Sequence, residues 1–213
     1  MTCTLLCYGD SNTHGSPPMT SRVEPYTRFG VGQRWPTVAD EALGPGWTVI
    51  EEGLPGRTAQ FDDPVMGAWM NGQPGLRMAL NSHGPLDMLA IMLGTNDSKT
   101  RFGSNAQTIA AGVAGLVDIA LGADAQTRHG GFGVLVICPP PVEERGCLAG
   151  EFYGGAAVSR QLAPLYADIA ASRGCLFLDA GQHIAVSPVD GVHYDPAQHQ
   201  TLGRAVANAI RSA

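Results

Sequence analysis

Five short apolar runs separated by segments of helical periodicity restrict this chain to a narrow set of architectures. The runs fall at 4–8, 47–50, 86–93, 132–137 and 176–179. Apolar residues recur at helical spacing over 33–43, 71–81, 105–121, 156–172 and 195–211. A strand that reaches its neighbour through a helix lies parallel to it, so the alternation predicts a parallel sheet with helices on both faces. The unbroken apolar stretch at 88–93 fits a strand buried on both sides. The 105–121 helix carries Ile109, Val113, Leu116, Val117, Ala120 and Leu121 on one stripe, and the 195–211 helix carries Leu202, Val206, Ala209 and Ile210. Element ends are marked too. Gly44-Pro45-Gly46 stops a helix, Pro139-Pro140-Pro141 ends the fourth strand, and Asp195-Pro196 supplies an N-cap and a proline at the first helical position. With 213 residues the chain fits one domain, 1–213, an α/β fold arranged as a three-layer α/β/α sandwich around a parallel sheet of about five strands.

Composition narrows the function classes. The net charge of −6 comes without a basic cluster, so nothing marks a nucleic-acid or anionic membrane partner. The longest apolar run is far too short to span a bilayer, and the N-terminus lacks the basic start and cleavage site of a signal peptide. The five cysteines (Cys3, Cys7, Cys138, Cys147 and Cys175) form no metal-spaced pair, and their odd number fits a reducing cytoplasm better than a disulfide framework.

Three placements carry chemistry. Ser11 stands in Gly9-Asp10-Ser11-Asn12 after the first run, Asn96 in Gly94-Thr95-Asn96-Asp97 after the third, and Asp190-Gly191-Val192-His193 lies beyond the fifth. A serine hydroxyl is a poor nucleophile unless an imidazole takes its proton and a carboxylate holds that ring's tautomer. Ser11, His193 and Asp190 supply these three groups. Each motif follows the C-terminal end of a strand, the edge where open parallel sheets bind ligands. His183, Asp195 and His199 are close in sequence, but their spacing matches no ligand pattern, and no metal or cofactor is expected. Asp10 and Asp97 are read as turn-forming carboxylates, and Arg57 as a brace of the site or a partner for Asp62 or Asp63.

The chain resembles the SGNH (GDSL) hydrolases, and within them the bacterial arylesterase and acyltransferase subgroup. Gly9-Asp10-Ser11, Glu51-Glu52-Gly53-Leu54-Pro55-Gly56-Arg57-Thr58, Ile91-Met92-Leu93-Gly94-Thr95-Asn96-Asp97 and Asp190-Gly191-Val192-His193 carry the resemblance, in the family's order. It implies a flavodoxin-like fold, a Ser11–His193–Asp190 triad, and an oxyanion hole made by the Ser11 and Gly56 amides with the Asn96 side chain. It also implies hydrolysis of short-chain acyl and aryl esters, with water, an alcohol or peroxide as acyl acceptor and a homo-oligomeric state in some members. Asp10, Asn12, His14, Arg57, Thr95 and Val192 adjoin these motifs and are the candidate substrate-binding residues. Two departures bear on acyl preference: Asn12 where the family usually has leucine, and His14 where the subgroup often has tryptophan. The same machinery also suits a carbohydrate O-deacetylase. A non-catalytic small-molecule binding module is the rival from another class, although no Gly-x-Gly-x-x-Gly or Walker-type loop follows the first strand. The segment 139–155 is read as a lid, a substrate rim, an oligomer contact or a mobile loop.

Overall fold

The structure, a computed structural model, describes residues 2–212. Its five strands are β1 (Cys3–Gly9), β2 (Trp47–Gly53), β3 (Met88–Met92), β4 (Gly133–Cys138) and β5 (Leu176–Asp179). The helices are α1 (Ser11–His14), α2 (Trp35–Leu43), α3 (Gly72–Ser82), α4 (Ala106–Leu121), α5 (Ala123–His129), α6 (Gly155–Ser159), α7 (Leu162–Ser172) and α8 (Pro196–Arg211). All strand pairs are parallel, in the order β2-β1-β3-β4-β5. The chain therefore leaves β1 towards one side of the sheet, at β2, and later returns to its other side, at β3. That reversal opens a crevice above the ends of β1 and β3.

Alternation along the strands builds the three layers. Leu5 and Cys7 of β1, Met88, Ala90 and Met92 of β3, and Leu135 and Ile137 of β4 enter a core with Trp35 of α2 and Leu202, Val206 and Ile210 of α8. Leu6, Tyr8, Leu89, Ile91, Val134 and Val136 face the opposite way, into a core with Leu76 of α3, Ile109, Val113, Leu116 and Val117 of α4, and Leu162 and Tyr166 of α7. Every residue of β3 is buried, as its apolar run implied.

Several boundaries differ from the sequence expectation. β2 runs on to Gly53 because Glu51, Glu52 and Gly53 pair with Cys7, Tyr8 and Gly9. The segment expected as one helix over 156–172 divides into α6 and α7. Pro164 has no N–H and its ring crowds the carbonyl four residues earlier, so it is accommodated in the first turn of a new helix. Asp195 occupies the N-cap position of α8, but its carboxylate makes no cap bond and instead accepts the Ser187 hydroxyl at 3.1 Å. The short helices α1 and α5 were not expected at all. No single helix among the described residues is long and apolar enough to cross a membrane, and α4 and α5, which reach that length only together, are bent by 48°.

Candidate active site

Ser11 is the first residue of α1, directly after the end of β1. The Asp10 carboxylate caps this short turn by accepting the Asn12 N–H at 2.9 Å. The turn packs on the end of β2 so tightly that a Cβ on Gly53 would lie 2.2 Å from the His14 backbone nitrogen, so only glycine fits there. The result is a serine fixed at the mouth of the crevice, 7% exposed, with its amide free of any protein acceptor among the described residues.

The His193 ring approaches from the loop before α8. Its Nε2 lies 3.1 Å from Ser11 Oγ and its Nδ1 2.7 Å from Asp190 Oδ2. Asp190 is fully buried and accepts three further bonds: Oδ1 from the Val192 and His193 amides at 3.0 and 2.9 Å, and Oδ2 from the Met19 amide at 2.8 Å. Burial pushes this carboxyl's pKa up, but the His193 side chain and these amides outweigh it and hold the pKa below the ordinary value. A carboxylate kept ionised against the ring fixes the tautomer in which Nε2 is free to take a proton. The Asn12 amide locks the two loops together by donating to the Val192 carbonyl at 3.1 Å.

The three expected oxyanion donors meet at the same mouth: Ser11, Gly56 and Asn96 all line one cavity. Gly56 has φ +93°, and a Cβ there would come within 2.6 Å of Met66 Cε, so its amide is presented by a backbone that excludes side chains. Like Ser11, its N–H has no protein acceptor among the described residues. Asn96 Nδ2 donates to the Arg57 carbonyl at 3.1 Å and, more weakly, to Asp10 Oδ2 at 3.3 Å. Behind them, both oxygens of Asp97 accept the Ala59 amide at 2.9 Å, tying the β3 loop to the loop after β2. Burial raises the carboxyl pKa of Asp10 to about 6 and of Asp97 to about 7.

The cavity has a volume of about 530 Å³. Ser11, Gly56, Asn96, Val192 and His193 form its floor, residues 16–19 and 24–27 one wall, and Leu148, Glu151 and Phe152 another. The segment 139–155 is thus a wall here. Val142, Leu148 and Phe152 pack with Val192 in a small core of their own, and the Glu143 amide donates to the Gly191 carbonyl at 2.8 Å.

Of the candidate substrate-binding residues, Val192 lines the cavity. Asp10, Asn12, His14, Arg57 and Thr95 do not. Asp10 and Asn12 hold the two loops as described. Arg57 lies over the Tyr8 ring, 4.1 Å from its centroid, and donates to the Gly9 carbonyl at 2.9 Å and to that of Glu52. It braces the site and leaves Asp63 to Arg101. The Thr95 carbonyl accepts the Ser98 hydroxyl at 2.7 Å, and His14 Nε2 meets the Tyr26 hydroxyl at 2.5 Å. His183, Asp195 and His199 do not converge. His199 Nδ1 accepts the Trp35 amide at 3.2 Å, and no group of three metal-ligating side chains occurs among the described residues. Met19, Lys99, Arg101, Glu151 and Phe152 line the cavity or hold the triad without belonging to any motif. A second cleft of about 580 Å³, between α3 and α4, contains none of the motif residues.

Comparison with known proteins agrees with this fold. The profile of the GDSL-like lipase/acylhydrolase family matches residues 7–201. An aryl esterase of M. smegmatis is 37% identical, with 99% of each chain covered and a TM-score of 0.93. A carbohydrate acetylesterase from Sinorhizobium meliloti is likewise 37% identical, with 99% of each chain covered and a TM-score of 0.92. A lipolytic G-D-S-L protein from Veillonella parvula, 14% identical with a TM-score of 0.67 and 99% of each chain covered, shares the fold. No curated protein matches.

Proposed function

The chain belongs to the GDSL-like lipase/acylhydrolase family, and on that premise we propose that it cleaves short-chain acyl esters, aryl acetates among them, through a covalent acyl-enzyme formed on Ser11. It is an esterase. His193 Nε2 takes the Ser11 proton as Oγ bonds to the ester carbonyl carbon, while Asp190 accepts the Nδ1–H and stabilises the imidazolium. The carbonyl oxygen becomes an oxyanion held by the Ser11 and Gly56 amides and the Asn96 side chain. Collapse breaks the bond to the alcohol, which leaves with the proton from His193. Water then attacks the acyl group, giving its proton to His193, and Ser11 departs with that proton restored. The observation that carries this reading is the chain Asp190–His193–Ser11, joined at 2.7 and 3.1 Å beside two amides with no protein acceptor among the described residues.

The test is turnover of p-nitrophenyl acetate and p-nitrophenyl octanoate by wild type and Ser11→Ala. Loss of both activities in a folded variant is expected, with acetate favoured by the wild type. Equal turnover in the two proteins removes Ser11 from the reaction. A second reading, deacetylation of a sugar by the same site, is favoured by the likeness to a carbohydrate acetylesterase. Faster cleavage of acetylated xylose than of p-nitrophenyl acetate would select it. Alcohols or peroxide as alternative acyl acceptors, the whole chain as one catalytic domain, and a homo-oligomeric state belong to the same proposal. So does a cytoplasmic location, which suits five free cysteines.

A further inference from the structure

Lys99 follows Asn96 by three residues and lines the same cavity, yet it is only 7% exposed. Its stem is enclosed, while its ammonium is open to the cavity and carries three N–H groups that need acceptors. Among the described residues its side chain donates no hydrogen bond. The nearest carboxylate oxygen, Glu151 Oε2, is 3.6 Å away, and the Phe152 ring centroid is 5.8 Å away. Glu151 is also shared, because Arg22 and Arg101 pair with the same carboxylate. The other anions nearby are engaged elsewhere. Asp63 lies 3.3 Å from Arg101 and accepts the Val65 and Met66 amides, while Asp10, the third carboxylate whose charge reaches Lys99, accepts the Asn12 amide and the Asn96 side chain. Burial first, and then the Arg101 charge, lower the Lys99 pKa, which marks a cation short of compensation. It lines the cavity that holds Ser11.

We propose that Lys99 is the specificity-determining cation of this cavity, and that the enzyme favours esters bearing a carboxylate away from the scissile carbonyl. This rests on the esterase reading above and names its substrate class. A carboxylate oxygen placed in the cavity completes the missing charge-assisted hydrogen bond at Lys99, a gain that a neutral isostere does not supply.

Two substrate pairs test it through kcat/KM. Comparing 4-acetoxybenzoate with its methyl ester puts the charge on the alcohol side, and comparing monophenyl adipate with phenyl hexanoate puts it on the acyl side. In at least one pair the wild type is expected to favour the carboxylate member by roughly tenfold or more, the size of one hydrogen bond to a charged group. Lys99→Met should abolish that preference and Lys99→Arg should keep part of it. No preference in either pair, or a preference that survives Lys99→Met, overturns the assignment. If Lys99→Met does not fold, competitive inhibition of the wild type decides. Either 4-hydroxybenzoate over 4-hydroxybenzamide on the alcohol side or adipamate over hexanamide on the acyl side is expected to bind at least about tenfold more tightly, and equal binding within both pairs overturns the assignment. Failure of the esterase reading itself looks different, because Ser11→Ala would then still turn over the neutral members of both pairs.

Discussion

Replacing Asp190 by asparagine separates orientation of the catalytic imidazole from mere packing. Asp190 accepts four N–H bonds, two on each oxygen, in a fully buried position. An asparagine offers one acceptor oxygen and one NH₂ group. With its oxygen at the Oδ1 position, the NH₂ confronts the Met19 amide and forces the His193 proton onto Nε2, facing Ser11, where it prevents general-base action. With the oxygen at the Oδ2 position, the Val192 and His193 amides lose their acceptor instead. Each buried donor left without a partner costs about 1–3 kcal/mol, so Asp190→Asn should lose about 2–6 kcal/mol of stability in the second arrangement. The first arrangement should lower kcat by about 10⁴, the cost of a wrong tautomer in a serine triad. The assay is kcat for p-nitrophenyl acetate alongside urea unfolding of the same preparation. A folded Asp190→Asn protein that keeps kcat within tenfold of the wild type and also loses less than about 2 kcal/mol of stability would refute the reasoning, because neither arrangement of the amide would then carry its cost.

Asn96→Ala should reduce kcat for p-nitrophenyl acetate by about 10² to 10³ with little change in KM, the signature of a donor used only in the transition state; an equal rise in KM with kcat intact would assign Asn96 to substrate binding. His199 should make the protein acid-sensitive. Burial, then the charge of His193, lower its pKa from the ordinary 6.5 to about 4. The unfolded chain therefore takes up a proton between these values while the fold does not, so this contribution to stability is full above about pH 6.5 and falls as pH drops towards about 4. The gap corresponds to about 3 kcal/mol. His199→Gln, whose side-chain oxygen can still accept the Trp35 amide, should flatten the change in urea stability between pH 7 and pH 4.5, and an unchanged slope would show that another group is responsible.

The sheet and its layering were legible because strands buried on both faces must be continuously apolar, as at Met88–Met92, and because glycine and proline mark where they stop. The Ser11, Asn96 and Asp190-to-His193 segments were legible because each follows a strand in one topological order, so parallel pairing alone carries them to a common edge. What lay beyond was tertiary. Adjacency to Ser11 does not decide which way a side chain faces: Asp10 and Asn12 turn inwards to tie loops, although both flank it. Lys99 comes from a segment about 50 residues before Glu151 and Phe152, and no local pattern announces that all three line one cavity. The bond from the Met19 amide to Asp190 is made by a backbone group and has no signature in residue type. The division of 156–172 was readable from Pro164, whose missing N–H outweighs the apolar periodicity around it.

Covalent labelling with a p-nitrophenyl alkylphosphonate, followed by intact-mass measurement and peptide mapping, decides whether Ser11 is a nucleophile activated by His193. One adduct per chain on the peptide containing Ser11, with complete inactivation and no adduct on Ser11→Ala, is the expected result. An adduct on another residue, or full activity retained under conditions that label a control serine esterase, would contradict it.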